Sequence, residues 1–145
     1  MNLDVEDDAE AEIEQIARSV RTIAIVGLSP REDRPSWGVA RYLQSQGYKI
    51  IPVNPTHVGK TILDERCYAR LADIPDATQV DMVDIFRRSD AVGEIVDEAL
   101  TKLPNTRVIW TQLGVRDDVA AARARDHGLI VVQDRCPKIE FPRYV

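Results

Sequence analysis

The sequence predicts an α/β fold: a doubly wound parallel sheet of five strands between two layers of helices, in a single domain. Two observations carry this. Short β-branched runs alternate with segments of helical periodicity from residue 13 to residue 132, and each run ends on glycine or on polar residues. The 145 residues contain no Gly/Ser linker, internal repeat or low-complexity tract, and they suit one hydrophobic core.

Ile13, Ile16, Ala17 and Val20 recur at three- and four-residue spacing, which predicts an amphipathic helix over residues 1–20 lying on a body of residues 21–145. Acids crowd its early turns, where the helix macrodipole favours them. Thr22-Ile23-Ala24-Ile25-Val26-Gly27 is continuous and β-branched, the pattern of a central strand covered on both faces. A polar loop from Leu28 to Pro35 leads to Ser36, placed to cap a helix that runs through Leu43 and stops at Gly47. Lys49 to Val53 follows as a strand, although Pro52 is awkward inside a sheet. Asn54-Pro55 makes a turn, Lys60 to Arg66 reads as irregular, and a short turn of helix is expected near Tyr68 to Leu71. The remainder repeats the alternation as strand Asp81–Phe86, helix Ala91–Lys102, strand Arg107–Trp110, helix Asp117–His127 and strand Leu129–Val132. Ser89 or Asp90 and Asp117 are the expected caps, Gly128 closes the last helix, and Gln133 to Val145 forms a tail.

The formal net charge of −5 is unevenly placed. Residues 1–17 hold seven acids and no Lys or Arg, which leaves 17 acids against all 19 bases in residues 18–145. The whole-chain balance argues against a nonspecific nucleic-acid binder, while the near-neutral body has room for locally basic ligand sites. No apolar run approaches the ~20 residues of a membrane span, and the acidic start is the opposite of a signal peptide's, so a cytoplasmic protein with no membrane partner is expected. Cys67 and Cys136 are isolated and read as reduced thiols, not as a disulfide or a zinc site. With no metal-ligand spacing, G-x-S-x-G elbow or Walker A loop, the expectation leans to binding over catalysis, and no catalytic or metal-ligating residue is assigned.

Sheets of this kind bind ligands beyond the C-terminal strand ends, where the strand order reverses. The sequence puts five segments there: Gly27-Leu28-Ser29-Pro30, Val53-Asn54-Pro55, Phe86-Arg87-Arg88, Thr111-Gln112-Leu113-Gly114 and Asp134-Arg135-Cys136-Pro137. Gly27 allows close backbone approach, Ser29 offers a hydroxyl, and a helix starting near Ser36 turns its N-terminus to the same space, a set that suits phosphate. The same residues equally make an ordinary strand-to-helix turn. An NAD site carries an acid at the end of the second strand for the ribose hydroxyls. Asn54-Pro55 stands there instead, which disfavours NAD and tolerates a phosphorylated ribose, with Lys60 either its charge partner or a solvated lysine. At least one of Arg87 and Arg88 belongs on the ligand rim, unless the pair is solvated or bound to Asp90. Asp84, an acid inside an apolar run, needs hydrogen bonds or a cation, from Arg135 or a backbone amide, and reads as structural. His57 lies in a turn within reach of a ligand, whereas His127 reads as a helix-end residue.

In these residues the chain resembles the small CoA-binding-domain family, which is Rossmann-like and similar to the N-terminal CoA-binding domain of the succinyl-CoA synthetase α subunit. The resemblance covers about residues 15–145 and rests on Ile25 to Pro30, Ile51 to Pro55, Val80 to Arg87, Trp110 to Val115 and Asp134 to Pro137, in that order. It implies a Rossmann-like fold and coenzyme A, free or as a thioester, as the ligand. By the same resemblance Gly27, Ser29 and Pro30 border the CoA phosphates, Val53, Asn54 and Pro55 the adenosine, Phe86 and Arg87 the next crevice, and Gln112 and Gly114 the pantetheine arm. The synthetase's phosphorylated histidine belongs to another domain, so the ligase activity does not carry over. Cys136, near that crevice, is either a thiol able to exchange with the CoA thiol, helped by Arg135, or a small buried hydrophobe. The leading expectation is therefore a non-catalytic CoA or acyl-CoA binder. The alternatives are an NAD(P)-dependent oxidoreductase and a regulatory or scaffold subunit using the same pocket. A homodimer formed through Trp37 or through Phe141-Pro142-Arg143-Tyr144 is a further expectation.

Overall fold

The structure, a computed structural model, describes residues 3–145, with side chains from residue 9 onward. Helix α1 (Leu3–Ser19) leads into strand β1 (Thr22–Val26), helix α2 (Pro35–Ser45) and strand β2 (Lys49–Val53). A small hairpin of β3 (Thr61–Ile62) and β4 (Glu65–Arg66) follows, then β5 (Met82–Ile85), α3 (Val92–Lys102), β6 (Val108–Thr111), α4 (Asp118–Asp126), β7 (Ile130–Val132) and α5 (Pro137–Glu140). The side chains of Asp4, Glu6, Asp7 and Asp8 lie outside the described residues. No helix among the described residues is long and apolar enough to cross a membrane.

Five strands form one parallel sheet in the order β2-β1-β5-β6-β7. The chain winds outward from β1 to β2, then crosses back to β5 on the other side of β1, so the strand order reverses between β1 and β5. Each face of the sheet carries its own apolar layer. On one, Ile25, Trp110 and Met82 meet Ile13, Ile16, Leu43 and Phe141. On the other, Val26, Val83 and Ile109 meet Val92, Val96 and Ala124.

Local chemistry explains where the elements differ from expectation. Helix α2 starts two residues earlier than a Ser36 cap implies, at Pro35, whose fixed φ suits the first helical position. Ser36 is therefore not a cap; it is buried, and its Oγ accepts the Ser29 N–H at 3.1 Å. Neither Ser89 nor Asp90 caps α3: Ser89 Oγ accepts the Arg116 N–H at 2.9 Å, and the helix is entered through a 3-10 turn over Ser89–Ala91. Asp117 does cap α4, accepting from the Ala120 N–H at 3.0 Å, and Gly128 follows that helix with φ +86°. Pro52 is tolerated because β2 is an edge strand, where a missing N–H leaves no ladder partner unsatisfied. Its carbonyl still accepts the Tyr68 N–H at 3.0 Å.

The stretch from Lys60 to Arg66 is not irregular. It is a two-residue antiparallel hairpin whose corner residues, Leu63 (φ 52°) and Asp64 (φ 66°), both take the left-handed conformation without a glycine. Gln44 on α2 donates to the Leu63 carbonyl at 2.7 Å and secures that corner. The helical turn expected near Tyr68 to Leu71 falls slightly later, as a 3-10 turn over Leu71–Asp73.

The C-terminal segment is core, not tail. Phe141 is fully buried, with the Trp110 ring edge-on at 5.6 Å and the Tyr48 ring tilted at 5.6 Å. Trp110 Nε1 in turn donates to the Arg135 carbonyl at 2.7 Å. Phe141 is thus spent inside its own chain and is not available as a contact for a second copy. Trp37 is partly buried against the same layer.

One acid sits inside this packing. Asp84 on β5 is fully buried, with Ile25 of β1 and Trp110 of β6 beside it in register. Burial pushes its carboxyl well above the usual range, and a hydrogen bond from the Ile85 N–H offsets that only in part. Arg135, one of its expected partners, pairs with Glu140 at 3.0 Å instead.

Two stability measurements follow from this core. Phe141→Ala is expected to cost about 3–5 kcal/mol in urea denaturation, the usual range for emptying a buried aromatic site; a loss below about 1 kcal/mol would mean that the C-terminal segment is not part of the core. The Asp84 carboxyl holds its proton to higher pH folded than unfolded, so its contribution is fully present below about pH 4 and is lost as pH rises toward the folded value. Asp84→Asn is therefore expected to gain on the wild type in thermal melts between about pH 4 and pH 8. A difference that stays constant across that range would contradict the assignment.

Candidate ligand-binding site

The exits of β1, β2 and β5 meet at one point. Gly27 donates its N–H to the Val53 carbonyl at 2.7 Å, and Phe86 donates its N–H to the Val26 carbonyl at 2.8 Å. Gly27 has φ +92°, and a Cβ placed on it would lie 2.3 Å from the Phe86 carbonyl oxygen and 3.2 Å from Arg87 Cδ. Only glycine fits there.

Two cavities open at this junction, one on each face of the sheet. The larger, about 650 Å³, is walled by Pro35 and Val39 of α2, Phe86 and Arg87 after β5, Gln112 after β6, and Cys136. The smaller, about 200 Å³, is walled by Val53, Pro55 and Ile95, with the charged side chains of Arg70, Arg87, Glu94 and Glu98. Arg87 borders both and has no acid partner within ion-pair distance among the described residues. Arg88 also lines the larger cavity, but it is exposed and pairs with Asp90 at 3.3 Å.

Several of the expected site residues prove to be braces of the loops around these cavities. Ser29 Oγ accepts the Arg31 N–H at 3.1 Å, with Pro30 partly exposed beside it. Asn54 donates to the Leu28 carbonyl at 3.1 Å and accepts the Thr56 N–H at 3.0 Å, so both ends of its amide tie the β2 exit to the β1 exit. Gly114 (φ +80°) donates its N–H to Asp134 Oδ1 at 2.7 Å, and its neighbours Leu113 and Val115, not Gly114 itself, line the larger cavity. Lys60 is exposed, 3.5 Å from His57 Nδ1, and lines neither cavity. His127 also lies apart from both, its Nδ1 2.9 Å from the Arg123 carbonyl.

The expected residues that do face the cavities are Val53 and Pro55 in the smaller, Arg87 in both, and Phe86, Arg88, Gln112 and Cys136 in the larger. Arg135, whose charge is committed to Glu140, is absent from the lining of the larger cavity. One terminal atom of the Gln112 amide stands 3.1 Å from both oxygens of the buried Asp84. Reading strand ends alone missed Pro35 and Val39, one turn apart on α2, and Arg70 and Ile95 from the far face. The four-residue spacing of Pro35 and Val39 marks one helix face and was the available signal. No grouping of His, Cys, Asp and Glu fit to hold a metal ion occurs among the described residues.

Comparison with known proteins fits this geometry. Residues 21–142 match the family described as CoA binding domain. The chain is 35% identical over 136 residues to the uncharacterized protein YneT of Bacillus subtilis, spanning 93% of this chain and 96% of that one. It is 33% identical over 84 residues to an ADP-forming acetate–CoA ligase of Archaeoglobus fulgidus, spanning 57% of this chain and 12% of the ligase. Among solved structures, a Thermus thermophilus protein is similar with TM-score 0.86 and 32% identity, over 94% of this chain and 98% of that one. A hypothetical protein from Pyrococcus horikoshii follows at TM-score 0.84 and 33% identity, over 93% and 91%. A Rossmann-like sheet with cavities on both faces of its switch point, and a family match that runs from β1 to the core-forming C-terminal segment, place this chain in the CoA-binding domain family.

Proposed function

We propose that the protein binds coenzyme A, free or as an acyl thioester, with the diphosphate held between the Gly27 turn and Arg87. The observation that carries this is the pair of cavities on opposite faces of the sheet, meeting at one arginine that has no acid partner among the described residues. Such a site suits a ligand with two unlike ends joined through an anionic middle. A guanidinium offers a fixed fork of donors for phosphate oxygens. Helix α2 adds the positive end of its dipole from the neighbouring side, and no acid stands in its first turn to compete.

The two ends divide by chemistry. The smaller cavity, with Val53, Pro55 and Ile95 as its apolar walls, suits the adenosine. The larger is walled mainly by apolar side chains and suits the pantetheine arm with whatever acyl group it carries. Asn54 speaks against a nicotinamide dinucleotide: it stands at the end of β2 where such sites carry an acid, and its amide is used up within the fold. Neither histidine lines a cavity, which favours binding over catalysis as the role of the site.

Calorimetric titration with CoA, 3′-dephospho-CoA and NAD at one ionic strength tests this. CoA is expected to bind tightest and NAD weakest. Arg87→Ala should weaken CoA binding about 10- to 100-fold, the cost of a charge-assisted pair of hydrogen bonds. NAD binding as tight as CoA would sink the proposal, and an unchanged affinity in Arg87→Ala would remove the diphosphate from this position.

A further inference from the structure

At the back of the larger cavity lies an acid to which CoA binding gives no task. Asp84 is fully buried, and no cation among the described residues pairs with it. Its neighbours in the sheet are Ile25 and Trp110. The charged and titratable groups of the adjoining segments are engaged or at the rim: Arg135 with Glu140 at 3.0 Å, Arg88 with Asp90 at 3.3 Å, Arg87 exposed at the mouth, and the Cys136 thiol on the cavity wall. What Asp84 has within reach is the Ile85 N–H and the Gln112 amide, one terminal atom of which stands 3.1 Å from both carboxyl oxygens.

An amide answers the two forms of an acid in opposite senses. A carboxylate only accepts, and so draws Nε2 toward itself; a carboxylic acid donates, and draws Oε1. The protonation of Asp84 therefore decides which end of Gln112 is left for the cavity that Gln112 lines. A carboxyl in full burial with one backbone donor and no cation is strongly favoured as the neutral acid.

We propose that Asp84 keeps its proton and donates it to Gln112 Oε1, so that Gln112 Nε2 faces the cavity as the donor for a carbonyl oxygen on the ligand's arm. Asp84 is then a positioning residue, and Gln112 sets specificity. The identity of the arm rests on the CoA proposal: its amides, or an acyl thioester, supply such a carbonyl. A carboxylate ligand end would also be accepted by this donor, whereas an ammonium or a second amide N–H in the same place would be refused.

Two measurements decide it. In ligand-free protein, the ¹³C resonance of the Asp84 side-chain carboxyl at neutral pH is expected at the position of a neutral acid; a carboxylate resonance overturns the proposal whatever the protein binds. CoA titrations then compare wild type with Gln112→Glu, Gln112→Met and Asp84→Asn, each first checked for a cooperative melt. The carboxylate of Gln112→Glu offers only acceptors and the thioether of Gln112→Met no donor, so both variants are expected to bind CoA about tenfold more weakly. The amide introduced by Asp84→Asn donates to Oε1 as the acid does, and that variant should stay within about twofold of wild type. Unchanged CoA affinity in Gln112→Met overturns the donor role. Failure of the wild type itself to bind CoA would remove the CoA proposal and with it the arm, and the ligand-free resonance distinguishes that outcome from an ionised Asp84.

Discussion

Where β1 ends there is no space for a side chain, and the rest of the site follows from that. Strands β1 and β5 are parallel neighbours whose connections leave in opposite directions, so their exits lie side by side. The Phe86 carbonyl comes so near that a Cβ on Gly27 would lie 2.3 Å from its oxygen. The chain can turn away only through a residue that accepts φ +92°, and the turn carries it over one face toward α2. On the other face, β2 delivers Val53 and Pro55 to the same junction. The opening is thus a product of backbone packing at a topological switch, present before any ligand chemistry is considered.

That packing also determines which polar groups remain for recognition. The hydroxyls and amides around the junction mostly satisfy backbone groups of the loops they sit in: Ser36 takes the Ser29 N–H, Ser29 takes the Arg31 N–H, and Asn54 joins Leu28 to Thr56. Loops at a sheet edge need such partners, because their backbone groups have no ladder to join. In the proposed reading, recognition falls to the Arg87 guanidinium, the Gln112 amide and the start of α2. The larger cavity, walled mainly by apolar side chains, would then discriminate by shape along its length and by hydrogen-bond polarity at isolated points.

The strands and helices were legible because their signals are periodic and local: the β-branched run ending at Gly27, the Asp117 cap, and Gly128 after α4 all act through neighbouring residues. What escaped depends on distant partners. The corner of the hairpin at Leu63 and Asp64 carries no glycine signal and is secured by Gln44 from α2. Phe141 reads as part of a tail able to meet a second copy until the Trp110 and Tyr48 rings are brought to it by the sheet. In the site, strand-end motifs pointed to Gly27, Phe86, Arg87 and Gln112, since the sheet itself delivers strand ends to one edge. They could not distinguish a brace such as Asn54 from a wall such as Val53, because that depends on which loop crosses nearby. Nor could they exchange Arg135 for Gln112 as the partner of Asp84, a choice made by the Glu140 side chain.

Charge shows the same dependence on partners. The body carries 19 bases against 17 acids, yet that surplus says little about an anionic ligand. Arg31, Arg70, Arg88, Arg116 and Arg123 each stand within 4 Å of an acid at the surface. Exposed pairs of this kind contribute little to stability, but each one cancels a positive charge locally. Arg87 differs from these because the turn after β5 places it at the switch point, bordering both cavities, with Glu94 and Glu98 on the wall of the smaller one but no acid within ion-pair distance among the described residues. The electrostatics of the site are therefore set by which charged side chains the fold brings to the two cavities, and the net charge of the chain says little about it.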